Sequence, residues 1–222
     1  MQPLLPSLIA AVLYIGTTAY QGASLARRTP PQKPLLLLLG LLALLCQAYS
    51  LSQELLTPAG LALDFFNAAS LISAAVTALT LLACLRIPVH NLLIVLYPLG
   101  ALTTLLAVLV PHGTIEPINE QPGILAHILL SILAYGLLTI AVVQALLLLV
   151  QDHQLKHKHP SGLIRNFPPL QTMESLLFGF LWGGWSLLSL SLISGWLFVD
   201  NLFAQHLAHK TILSCFAWVV FG

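Results

Sequence analysis

His127 is the side chain best placed to do chemistry. It lies four residues into an apolar run that opens at Gly123, with Ser131 and Tyr135 four and eight residues further on. That spacing puts all three on one helical face, and Ala134 and Gly136 beside them allow a second helix to come close. A neutral imidazole at the edge of an apolar run is suited to bind a haem or metal iron. A second cluster, Gln205, His206, His209 and Lys210, opens the last apolar run. His206 and His209 project from similar faces and could share a metal or flank a cofactor, while Lys210 could pair with a carboxylate such as a haem propionate. We therefore take His127 and His209 as the candidate iron ligands, with His206 and Lys210 beside them. The plain alternative is an interfacial histidine bonded to a neighbouring helix and a lysine reaching out to the membrane surface.

Other candidates are weaker. His153, His157 and His159 sit beside Lys156 and Lys158 and read as a solvated basic loop, while His90 and His112 lie at loop boundaries. Cys46, Cys84 and Cys215 fall inside apolar runs, and no two have CxxC spacing, which argues against dithiol redox chemistry or a thiolate metal cage. Trp182 and Trp185 are expected to pack at membrane depth, and Trp196 suits an interfacial aromatic belt. There is no phosphate-binding glycine loop and no HExxH. No acidic residue lies deep in an apolar run, so a small-molecule transporter is the least favoured reading. Nothing in these residues calls for turnover of a substrate, and the chain is read as a non-enzyme.

The elements that must position these residues follow from composition. The chain has 222 residues, 58% apolar and 7% charged, with mean hydropathy +0.94. A soluble domain carries roughly 25% charge, so soluble enzymes, nucleic-acid-binding domains and disordered chains are excluded. The fold class is all-α, a polytopic transmembrane helical bundle forming a single membrane domain, residues 1–222, with the lipid bilayer as its first partner. Apolar runs predict spans at about 4–26, 35–56, 64–85, 91–110, 123–150, 173–199 and 206–222, separated by Pro, Gly and charged residues. The last run stops without a closing charge, so an eighth span is expected beyond Gly222.

The loops alternate between two sides of the membrane. Arg27, Arg28, Lys33, Arg86, Lys156, Lys158 and Arg165 fall on one side, and only Lys210 on the other. Positive residues stay in the cytoplasm. The N-terminus is therefore expected outside, and His127, His206 and His209 near the outer face.

The stretch from His127 to Tyr135, the Pro168-Pro169-Leu170-Gln171-Thr172-Met173-Glu174 tract, the Ser194-Gly195 step and the Lys210 to Trp218 tract resemble, in this order and spacing, the cytochrome c assembly family. These are membrane haem-handling proteins (CcsA, CcmC and HemX-like). The Ala208-His209-Lys210-Thr211 wording is shared with one variant subgroup. The resemblance implies a bacterial inner-membrane protein that binds haem near the outer face and acts in cytochrome c assembly, with assembly components as partners. It also implies that His127 is the outer-side histidine preceding the family's tryptophan-rich segment. Leu202 to Lys210 occupies the place of that segment and contains no Trp. This departure motivates the alternative reading, a cofactor-free regulatory or scaffold partner of a haem or other membrane pathway, as in HemX-like relatives.

Overall fold

The structure, a computed structural model, describes residues 4–27, 29–57, 60–61, 63–110, 121–156, 168–198 and 208–222; at 57, 60, 61 and 208–210 it describes the backbone alone. Seven α-helices carry these residues: α1 (Leu4–Ala26), α2 (Lys33–Leu55), α3 (Phe65–Arg86), α4 (Leu93–Leu109), α5 (Pro122–Lys156), α6 (Leu170–Phe198) and α7 (Ala208–Phe221). A two-residue antiparallel ribbon, β1 (Leu56–Thr57) with β2 (Gly60–Leu61), links α2 to α3. The protein is a polytopic helical membrane bundle. Six helices are long and apolar enough to cross a bilayer; the apolar part of α7, Thr211–Phe221, is shorter.

The helix ends are set by local chemistry. Pro34 stands in the first turn of α2, where its missing N–H is not needed. The Asp64 carboxylate caps α3 by accepting from the Asn67 amide at 2.7 Å. Pro88 follows Arg86, and a 3₁₀ turn at His90–Leu92 leads into α4. Helix α5 continues six residues past the apolar run that ends at Val150. Polar Gln151–Lys156 extends it, with an Asp152–Lys156 ion pair of 2.7 Å one turn apart and the Gln151 amide donating to the Pro168 carbonyl at 3.1 Å.

Helices α1 to α4 form a ring in which each packs on the next and α4 closes on α1. Helix α5 lies against α3, α6 lies along α5 in the most extensive contact of the molecule, and α7 rests on α6. Small residues set these distances, as expected where lipid supplies no hydrophobic drive between helices. A Cβ on Gly184 would stand 2.8 Å from the Leu138 side chain and 3.2 Å from its backbone nitrogen, so α5 and α6 approach to near backbone contact. In the ring, Gly40 leaves space for the Tyr97 phenol, which donates to the Leu36 carbonyl at 2.9 Å.

Candidate functional site

His127 occupies the contact between α5 and α6. Its Nδ1 lies 2.9 Å from the Ser191 carbonyl and 3.2 Å from Ser194 Oγ. A carbonyl only accepts, so Nδ1 carries the proton, and in the neutral form of such a ring Nε2 is the lone-pair nitrogen. No described residue hydrogen-bonds Nε2. The ring lies flat against Gly195, where an added Cβ would be 2.9 Å from Cε1 and 3.2 Å from Nδ1. Three residues of α6 thus fix the imidazole. The Ser191 carbonyl sets the tautomer, Ser194 donates to that same carbonyl at 2.8 Å and accepts from Nδ1, and Gly195 makes room.

The face read from the four-residue spacing is occupied along its length. Ser131 donates to the His127 carbonyl at 2.8 Å and meets Ser191 Oγ at 2.6 Å. Two turns in from His127, the Tyr135 hydroxyl bonds Ser214 of α7. His127, Ser131 and Tyr135 therefore tie α5 to both following helices.

The direction of α7 follows from its partners. Trp185 stacks on Trp218 with ring centroids 5.4 Å apart, its indole N–H donates to the Trp218 carbonyl, and the Trp218 indole donates to Ser189 Oγ at 2.8 Å. Gly222 also lies against the Trp185 indole, so later residues of α7 meet earlier residues of α6; helix α7 is antiparallel to α6 and parallel to α5. His127 precedes the Tyr135–Ser214 contact by eight residues and His209 precedes it by five, about 12 Å and 7.5 Å of helix rise. Their backbones enter at the same end of the bundle, at levels within about 5 Å of one another.

The model of the Cytochrome C assembly protein family matches residues 35–222, from the start of α2 through α7. The chain belongs to that family. It is 30% identical over 217 residues to the inner membrane protein YpjD of Escherichia coli K12, covering 97% of this chain and 82% of that protein, and equally to YpjD of Escherichia coli O157:H7. An uncharacterised 28.8 kDa protein of Azospirillum brasilense is 34% identical over 98 residues, covering 43% of this chain and 36% of its own. No solved structure matches.

Of the site residues read from the sequence of this cytochrome c assembly family member, the structure places one side chain, His127. His206 lies outside the described residues, and His209 and Lys210 are described as helical backbone only. His157 and His159 also lie outside the described residues, and among those residues no three His, Cys, Asp or Glu side chains come together as a metal site. Trp182 and Trp196 are exposed on the outside of the bundle, 66% and 76%, so Trp182 does not pack in the interior. Its ring meets that of Trp185 at nearly a right angle, with centroids 5.8 Å apart. Sequence reasoning singled out the Ser194-Gly195 step but did not join it, or Ser191, to His127. The signal was there in the Ser-x-x-Ser-Gly spacing near the end of α6.

Proposed function

We propose that this protein is a haem-handling component of cytochrome c assembly, holding haem near the outer face of a bacterial inner membrane without turning over a substrate. The observation that carries this reading is the His127 tautomer. Nδ1 is committed to the Ser191 carbonyl, which orients the ring and leaves Nε2 to bind iron, the second-contact pattern expected of a ligating histidine. The residues fit the group: an imidazole with a bare nitrogen, held rigid at a helix end, in a member of this family. His127 would hold the iron, with His209 or His206 as the second ligand and Lys210 pairing a propionate. Haem, when bound, supplies the redox chemistry; the chain supplies ligation and orientation. The parallel entry of α5 and α7 supports a shared site for His127 and His209.

The full chain, purified after growth with added haem, should show a Soret band in its reduced-minus-oxidised spectrum. His127→Ala should remove the band without changing the gel-filtration profile. Absence of the band from folded, haem-supplied protein would overturn this reading. A stable co-purifying protein with no haem would instead establish the regulatory or scaffold role, which the Trp-free Leu202–Lys210 tract favours.

The orientation proposed, N-terminus outside and 151–171 inside, rests on the distribution of Lys and Arg. A reporter fused at His157 should be active in the cytoplasm only, and cleavage there by protease added to intact cells would reverse the assignment.

A further inference from the structure

The ring of α1 to α4 has a polar interior that the His127 site does not use. On α3, Asn67, Ser70, Ser73, Thr77 and Thr80 recur every three or four residues and are all 5% exposed or less. They form one stripe about 20 Å long by helix rise, two thirds of a hydrocarbon core of about 30 Å. Gln47 of α2 joins it to the neighbouring helices. Its amide nitrogen lies 3.1 Å from the Ser70 carbonyl and 3.0 Å from Ser73 Oγ, and its oxygen accepts from the Tyr14 hydroxyl of α1 at 2.8 Å. Ser73 continues to Thr103 of α4 at 2.7 Å. All four helices therefore contribute to one hydrogen-bonded seam, and none of these groups carries a charge.

Polar side chains between membrane helices can serve only as dry interhelical bonds, and the middle of the seam, where Gln47 is satisfied, fits that use. Its two ends do not. Asn67 is fully buried, yet neither its amide nitrogen nor its oxygen has a hydrogen-bond partner. At the far end both amide atoms of Asn91 and the oxygen of Gln21 are buried and unpartnered, while the Gln21 nitrogen donates to the His90 carbonyl. Donors and acceptors are orphaned together at each end, and a buried polar atom without a partner is costly. A small molecule that both donates and accepts satisfies such a set, and water is the common case.

We propose that the α1–α4 ring encloses a hydrated seam that admits water and small uncharged hydrogen-bonding solutes into the thickness of the bilayer. From Tyr14 through Gln47, Ser70 and Ser73 to Thr103 the hydrogen-bonded groups are all uncharged, and the Asp64 carboxylate stands only at the Asn67 end, a lining suited to neutral solutes rather than ions.

Cysteine alkylation tests this, because the reaction runs through the thiolate, which forms in water and not in lipid. The full chain would carry Cys46→Ala, Cys84→Ala and Cys215→Ala, with either Thr77→Cys, whose hydroxyl is buried and unpartnered, or Thr80→Cys added, both small changes. Leu82→Cys, on the outer surface of α3, is the lipid-facing control. In nanodiscs, iodoacetamide should modify at least one seam cysteine ten times faster or more than the control. If both seam variants are monodisperse and react no faster than Leu82→Cys, the seam is dry and the proposal fails. The readout involves no haem, so it stands or falls apart from the His127 reading.

Discussion

The amino-terminal ring and the α5–α7 layer treat the membrane differently. In α3 and α4, 44% of the spanning window is buried within the protein, in α1 and α2 33% and in α5 39%; in α6 it is 17%, so the outward-turned part of the layer is α6 with α7. The ring turns its polar groups inward and closes around them. The layer turns most of its surface outward, with Trp182, Trp196, Phe216 and Val219 all exposed. Its polar contacts lie in a narrow strip where α5 meets α6 and α7. The first arrangement makes a closed body whose core also takes in Ile140 and Val143 of α5. The second presents the candidate ligand His127 on a thin sheet of helices whose outer face stays exposed.

If this contrast is sound, the ring should suffer most from a packing insult. Gly40→Ala places a methyl group where the Tyr97 hydroxyl lies and breaks its bond to the Leu36 carbonyl. The expected loss is about 3 kcal/mol, overpacking plus one buried hydrogen bond, measured by denaturant titration in mixed micelles. Any Soret band should survive in the fraction that remains folded. A loss below about 1 kcal/mol would show that the ring yields as easily as the layer.

Gly195→Ala makes the opposite bargain. The new methyl meets the face of the His127 ring rather than a closed core. We expect about 1 kcal/mol of destabilisation but loss of most of the haem signal, because the ring must turn away from the Ser191 carbonyl. An unchanged spectrum would show that the cradle does not set the ligand.

Ser131→Ala should matter least. It removes a bond to the adjacent turn and one contact across to Ser191, and interhelical bonds of this kind average about 0.6 kcal/mol. Thermal unfolding should shift by no more than a few degrees. A larger shift would mean that the strip between α5 and α6 is a cooperative network.

Much of the fold was legible in the sequence because its signals are local. Apolar runs of spanning length give the helices, and Pro30-Pro31, Asp64, Pro88 and Pro122 mark their ends. The face joining His127, Ser131 and Tyr135 followed from spacing alone. Its partners did not, because the register of α5 against α6 depends on where Gly184 meets Leu138, a contact between residues 46 positions apart. The apolar run that gives the fifth span stops at Val150, whereas the helix itself is carried on to Lys156 with the Asp152–Lys156 pair, a continuation hydropathy does not signal. The seam was overlooked for a different reason. Ser, Thr and Gln inside an apolar run barely lower its hydropathy, and only their recurrence on one face of α3 reveals them.

The length of α5 has a mechanical meaning. Its 35 residues make a rod of about 52 Å, against a hydrocarbon core of about 30 Å, and no proline interrupts it after Pro122. His127 sits near one tip, and the Asp152–Lys156 pair stands at the other, about 43 Å away by helix rise. A stiff rod does not absorb a push; it passes it on. An axial or rotational displacement imposed on the rod at His127 would therefore reach Lys156 little diminished, coupling the two ends of the helix mechanically.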